Sequence, residues 1–262
     1  MQTAILSIVT VVALGGGSFA IYKSFRHTTE SVCRAAGTKT TYTITADQAE
    51  NATTITAVGK RMGLPDHAVT VALAAALQES KLHNVAHGDR DSLGLFQQRP
   101  SQGWGTAAQV LNPTYAAEAF FSHLAHVSGW ESLPIATAAQ EVQHSAAPDA
   151  YQQWEPEARA LAIATTGESP AAFTCRTPAA KAQSVDHSLS TTMTAELGSA
   201  DLAAAVVPAH GWVVASWLVA HAHRFGISSV AFAGRRWTPS SGKWADQSPV
   251  LAHVQIERIA GV

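Results

Sequence analysis

Residues 69–97 read VTVALAAALQESKLHNVAHGDRDSLGLFQ, and this stretch decides the fold. An alanine-rich apolar run with helical spacing ends at Glu79, which shares a helix face with three alanines, Ala72, Ala75 and Ala76. Small side chains leave room for a ligand beside the carboxylate. A carboxyl group in a partly apolar cleft has a raised pKa and can act as a general acid. The alternative is a solvated glutamate in the last turn of an ordinary helix.

Two motifs follow this glutamate at ordered separations. The first is Glu79-Ser80 followed by Gly-Leu-Phe-Gln at 94–97, which resembles the signature of the lytic transglycosylases and goose-type lysozymes. The second is AAQEVQHSAAPDAYQQW at 138–154, which resembles the stretch that closes the cleft in actinobacterial lysozyme-like domains. The usual Ala-Tyr-Asn segment of lytic transglycosylases is not present as such. The resemblance covers residues 50–165, under half of the chain.

The resemblance implies cleavage of peptidoglycan glycan strands. Glu79 would protonate the bridging oxygen of the β-1,4 bond between N-acetylmuramic acid and N-acetylglucosamine. A transglycosylase then uses the same carboxylate as a base, whereas a hydrolase activates water, usually with a second carboxylate. Asp89 and Asp91 are the acids nearest in sequence, and goose-type lysozymes carry aspartates in a comparable loop. The segment HGDRDS is also full of turn formers, so both interpretations stay open.

Further residues are expected to bind the substrate or to position Glu79. The family match points to Gln97, Ser80, Gln143 and Tyr151, and Ser92 is a weaker candidate from the same loop. Trp104 lies between two glycines, where an indole could stack on a sugar or pack beneath the loop. No cofactor and no metal is expected. The competing hypothesis is a catalytically silent lysozyme-like scaffold that binds wall glycan or a partner protein of the cell envelope.

The last part of the chain has a different pattern. Residues 211–224 indicate a helix, and ISSVAF and VLAHVQIERI indicate strands around a turn-rich segment. This unit resembles the zinc D-Ala-D-Ala peptidases, whose last strand carries a His-x-His pair. Here His253 is followed by Gln255, and a catalytic zinc generally takes three protein ligands. The unit is therefore predicted to be a degenerate accessory domain.

The N-terminal segment bears on where the protein acts. Residues 4–22 carry no charge, which predicts a transmembrane helix, with a cleaved signal peptide as the rival. Lys23 and Arg26 follow, and positive charge favours a cytoplasmic side, whereas the expected substrate lies outside. Cys33 and Cys175 would form a disulfide in an oxidising compartment, or remain two separate buried thiols.

These patterns predict a mainly α lysozyme-like domain followed by a small α+β domain, with an N-terminal transmembrane helix. The expected order is anchor or signal (1–27), linker (28–45), lysozyme-like domain (46–170), linker (171–200) and accessory domain (201–262). The protein would be membrane-anchored or secreted and would act outside the cytoplasm. A net charge of -2 gives no basis for a nucleic-acid partner, which usually requires a basic patch.

Overall fold

The structure is a computed structural model that describes residues 31–145, 147–178 and 185–259. Six helices build the first half, in the order α1 (Ala46–Arg61), α2 (Asp66–Ser80), α3 (Ala107–Val110), α4 (Pro113–Leu124), α5 (Ile135–Gln143) and α6 (Glu155–Thr165). A 3-10 segment, Pro148–Trp154, leads into α6. Helix α2 is the centre of this half, because every residue from Ala68 to Leu77 is buried and α1, α4, α5 and α6 pack around it.

Local sequence explains where these helices begin. Thr45 and Gln48 form a capping box at the start of α1, in which each side chain bonds the backbone of the other residue. The side chain of Asn112 caps α4, and Pro113 occupies the first turn, where its missing N–H costs nothing. Helix α2 ends because Lys81 and Leu82 both have positive φ angles, 56° and 61°.

A three-stranded antiparallel sheet lies against these helices. Its strands are β1 (Val32–Ala36), β2 (Thr41–Thr45) and β3 (Phe173–Arg176), in the spatial order β2-β1-β3. Cys33 and Cys175 are directly opposite one another on β1 and β3 and form a disulfide. The disulfide prediction is therefore confirmed.

The C-terminal part contains three helices and a second antiparallel sheet. Its helices are α7 (Leu189–Leu197), α8 (Pro208–Ala220) and α9 (Ala222–Phe225). Its strands are β4 (Ile227–Phe232), β5 (Arg235–Thr238), β6 (Lys243–Asp246) and β7 (Gln255–Arg258), in the order β6-β5-β4-β7. Helix α8 is buried on all sides from Gly211 onward, which is the pattern of a helix in the centre of a protein.

The predicted fold class, a mainly helical domain followed by a separate α+β domain, is wrong. Strands β1, β2 and β3 and helix α7 lie in stretches expected to be linkers or linker ends. One continuous cluster of buried side chains joins the two halves, and α8 packs directly against α1. The strands were missed because each has only four or five residues, and β3 pairs with a strand that is distant in sequence. The division of the chain at residues 170 and 200 stays a prediction.

The predicted transmembrane helix, residues 4–22, lies outside the described residues. Among the helices of the described ranges, none combines the length and the apolar character needed to cross a bilayer.

Candidate functional site

Glu79 lies in the last turn of α2, where the helix leaves the core. The side chains before it, through Leu77, are buried, whereas Gln78, Glu79 and Ser80 are half-buried. The left-handed conformation of Lys81 turns the chain away immediately afterwards. The carboxylate therefore stands where the helix leaves the core. The alanines that were expected to leave room for a ligand, Ala72, Ala75 and Ala76, are instead fully buried in the core.

Tyr151 is the direct partner of Glu79. The phenol of Tyr151, which is fully buried, donates a hydrogen bond of 2.6 Å to Oε1 of Glu79. Tyr151 belongs to the 3-10 segment that packs against α2 and α5. The structure thus brings together two of the residues that the sequence singled out, although 72 positions separate them.

Opposing influences set the protonation of Glu79. Burial has the largest effect and raises the pKa of the Glu79 carboxyl group, because an apolar environment disfavours the charged form. Hydrogen bonds from Tyr151 and Gln143 and the positive charge of Lys81 lower the pKa, and the net shift is upward. A raised pKa is what a carboxylic acid needs to deliver a proton near neutral pH.

The Gly-Leu-Phe-Gln segment is fastened to the end of α2. The hydroxyl of Ser80 donates to the carbonyl of Leu95 (2.7 Å), and the amide of Gln143 donates to the carbonyl of Phe96 (2.9 Å). Gly94 has a φ of 78°, and a Cβ there would lie 2.2 Å from the carbonyl oxygen of Val110. The glycine of the motif is therefore a steric requirement. Ser80 and Gln143 use these contacts to hold the segment in place.

Gln97 folds back onto its own loop. It has a φ of 48°, and its amide donates to the carbonyls of Gly94 (3.2 Å) and His87 (3.4 Å). A Cβ on Gly88 would lie 1.9 Å from Oε1 of Gln97 and 2.8 Å from the backbone carbonyl oxygen of Ser92, and the backbone contact favours glycine at this position. These contacts within the described residues support a role for Gln97 in fixing the conformation of its own loop.

Two other residues that were predicted to contact the substrate, Ser92 and Trp104, differ in burial. The side chain of Ser92 is buried, with 7% of the residue exposed. Trp104 stacks on the ring of His123, with 3.9 Å between the ring centres, and packs against the core. Trp104 is half-buried and His123 is exposed, so both interpretations of Trp104 stay predictions.

The two aspartates of the loop have different surroundings. Asp91 accepts hydrogen bonds from Nε of Arg99 (3.0 Å) and from the backbone and hydroxyl of Ser101 (2.8 and 2.9 Å). These bonds, above all those from Ser101, lower the pKa of Asp91 to about 2. Asp89 has 92% of its side chain exposed and lies 3.9 Å from Arg90. Asp91 therefore holds a turn together, and Asp89 faces solvent.

A cluster beside Glu79 was missed by sequence reasoning. The indole N–H of Trp154 donates to Gln78 (2.7 Å), and the ammonium group of Lys81 lies 3.9 Å from the centre of the Trp154 ring. Burial raises the pKa of Glu157, which also interacts with Lys81. Trp154 ends the motif at 138–154, which was a usable signal. The position of Lys81 depends on its left-handed backbone, for which the sequence carries no signal.

Two neighbouring histidines, His123 and His126, are not part of a metal site in the described part of the chain. His123 and His126 each use Nδ1 to bond a backbone carbonyl, of Ala119 and Ser122. Across the described ranges, the structure assembles no group of three His, Cys, Asp or Glu side chains suited to a metal ion.

Comparison with known proteins identifies no relative that would assign a function. No protein-family model matches the chain, and a search of curated proteins likewise gives no match.

Proposed function

We propose that this protein cleaves the glycan strands of peptidoglycan, with Glu79 as the general acid and base. The observation that carries the proposal is the half-buried Glu79 carboxyl group with a raised pKa, oriented by the buried Tyr151 phenol. The resemblance of the two sequence motifs to lytic transglycosylases and goose-type lysozymes supplies the substrate class.

The proposed reaction has two steps. In the first, protonated Glu79 donates its proton to the bridging oxygen while the bond from the muramoyl C1 to this oxygen breaks. In the second, the Glu79 carboxylate removes the proton of the muramoyl 6-hydroxyl, and O6 bonds to C1 to give a 1,6-anhydro end. No water is consumed, and Glu79 regains its proton.

The surroundings of the two aspartates favour this lytic route over hydrolysis. A hydrolase usually needs a second carboxylate to act as a nucleophile or to activate water. Asp91 accepts hydrogen bonds from Arg99 and Ser101, and Asp89 is almost fully exposed. A single carboxylate that serves in both steps fits this arrangement.

The proposal requires that the protein acts outside the cytoplasm, where peptidoglycan lies. The Cys33–Cys175 disulfide supports this location, because disulfides persist in oxidising compartments and are rare in the cytosol.

The test is digestion of purified sacculi by the wild-type protein and by Glu79→Gln, with mass analysis of the released muropeptides. We expect 1,6-anhydro products from the wild type and a loss of at least about 100-fold in rate for the variant. Asp89→Asn, at the almost fully exposed aspartate of the same loop, is the matched control and should keep the wild-type rate. Reducing ends on the products would overturn the lytic route. Absence of any release from either protein would favour the alternative, a silent scaffold that binds glycan or an envelope protein.

A further inference from the structure

A separate cavity lies among α1, the start of α4, α7 and the junction of α8 and α9. Its volume is about 610 Å³, and Glu79 is not among its lining residues. The residues that matter for its chemistry are Glu50, Thr114, Glu196, His221 and Arg224. A cavity of this size suits a small organic ligand.

The charges around this cavity do not balance. Arg224 is the one cationic side chain among its lining residues in the described part of the chain, and it is already paired with Asp186 (2.8 Å). Glu196 is buried and accepts hydrogen bonds from three groups, of Thr54, Thr114 and Trp217. Burial raises the pKa of Glu196, while these hydrogen bonds and the charge of Arg224 lower it. The cavity lining therefore contains two carboxyl groups and one arginine, and the arginine is already paired outside the lining.

Glu50 is the carboxyl group without such partners. Its carboxylate accepts no hydrogen bond and forms no ion pair within 4.0 Å among the described residues. Burial raises the pKa of Glu50 to about 7, while Arg224 lowers it and Asp47 and Glu196 raise it further. A carboxyl group in this state gains from a cation placed beside it.

His221 provides a second, independent feature of the cavity. It has 1% of its surface exposed, stacks on Trp217, and uses Nδ1 to bond the carbonyl of Trp217. Burial lowers the pKa of the ring to about 3, so the ring is neutral and Nε2 keeps its lone pair. Within the described ranges no donor reaches Nε2, although His221 lines the cavity. Nε2 of His221 is thus an acceptor that a ligand in the cavity could bind through an N–H group.

We propose that this cavity binds a small organic ligand through a primary ammonium group, which donates hydrogen bonds to Glu50 and to Nε2 of His221. A carboxylate and a neutral imidazole are both acceptors, and an ammonium ion offers three N–H donors and no acceptor. An anionic ligand would meet the carboxylates of Glu50 and Glu196. A quaternary ammonium would bring the charge but no N–H donor. The site is independent of the proposed glycan cleavage at Glu79.

The test is a calorimetric titration of the full chain with n-butylammonium at pH 7 and constant ionic strength, in two buffers of different ionisation enthalpy. We expect saturable binding that releases up to about half a proton, because a bound cation lowers the pKa of Glu50. Glu50→Gln should weaken binding about tenfold or more and abolish proton release, since it removes a charge-assisted hydrogen bond. Tetramethylammonium and butyrate should bind more weakly than n-butylammonium.

Glu141→Gln is the matched control, because it makes the same substitution at an exposed position on α5 that does not line the cavity. It should bind n-butylammonium like the wild type, and so should Glu79→Gln. Equal affinity of the wild type and Glu50→Gln would overturn the proposal. So would an absence of saturable binding, or tetramethylammonium or butyrate binding as tightly as n-butylammonium.

Discussion

At the scale of the residue, the candidate catalyst depends on two side chains from distant parts of the chain. Burial raises the pKa of Glu79, and the hydrogen bond from Tyr151 opposes that shift while fixing the orientation of the carboxyl group. Burial, and after it the same bond, raise the pKa of Tyr151, so the phenol keeps its proton and remains a donor to Glu79 near neutral pH.

The substitution Tyr151→Phe tests this balance. It removes the donor that favours charged Glu79, so the pKa of Glu79 should rise further. A general acid is active while protonated, and the alkaline limb of the pH–rate profile should move to higher pH. The maximal rate should fall about tenfold or more, because the carboxyl group loses its orientation. An unchanged alkaline limb in muropeptide-release assays would contradict the role of Tyr151.

Glu50 gives a stability prediction of definite sign. Its folded-state pKa of about 7 exceeds the ordinary glutamate value of 4.5. Between these two pH values the folded protein therefore holds a proton that the unfolded chain has released. Its contribution to stability is present below pH 4.5 and is lost as the pH rises through 7. Glu50→Gln should therefore be more stable than the wild type at pH 9 by about 1 to 2 kcal/mol, allowing for its partial exposure.

Urea unfolding of both proteins at pH 4 and pH 9 measures this difference. The two free energies of unfolding should be nearly equal at pH 4, where Glu50 is neutral in both states. Glu141→Gln again serves as the control and should differ from the wild type equally at both pH values. A difference between the wild type and Glu50→Gln that is the same at both pH values would refute the assignment.

At the scale of the element, the sheet of β1, β2 and β3 ties the start of the described chain to its middle. Two aromatic side chains of the second sheet extend this connection, because the indoles of Trp237 and Trp244 donate to the carbonyls of Cys175 and Phe173. Strand β3 therefore links the two sheets. Its disulfide to β1 spans 142 positions, which is a long loop to close in the unfolded chain.

Removal of this disulfide should be costly. Replacing both cysteines, as Cys33→Ala with Cys175→Ala, should lower the free energy of unfolding by about 2 to 5 kcal/mol, mainly by freeing the unfolded chain. The measurement is urea unfolding of the variant beside the oxidised wild type. The reduced wild type, with both native side chains, is the control and should resemble the variant. Identical midpoints for the variant and the oxidised wild type would contradict this expectation.

At the scale of the whole molecule, the C-terminal part completes the core of the helical half. Helix α1 packs against α7 and α8 on one side and against α2 and α4 on the other. The buried carboxylate of Glu196, on α7, accepts a hydrogen bond from Thr54 on α1 and another from Trp217 on α8. A buried carboxyl group that accepts hydrogen bonds from both halves favours a single assembled structure.

The full chain should therefore unfold in a single thermal transition. A chain ending at residue 178 should lose that transition, because it exposes the buried face of α1 and leaves Thr54 without its partner. Differential scanning calorimetry of the two chains provides the measurement. Two transitions in the full chain, one of them retained after truncation, would show instead that the halves fold independently.

The sequence by itself determined the parts whose cause is local. The helices around Glu79 follow from apolar periodicity and capping residues such as Thr45 and Asn112. The position of Glu79 at the end of a buried helix and the pairing of Cys33 with Cys175 were also predicted correctly. Each of these depends on residue type and spacing within one element, or on the presence of only two cysteines.

Only the tertiary structure decided the features that join distant segments. The register of β1 with β3, the hydrogen bond from Tyr151 to Glu79 and the Glu50 cavity each combine residues that are far apart in the chain. Short strands carry little periodicity, and burial of a carboxyl group depends on which elements pack over it. Sequence alone therefore singled out Glu79 as a candidate, whereas packing set its surroundings and proton affinity and brought Glu50 and His221 to one cavity.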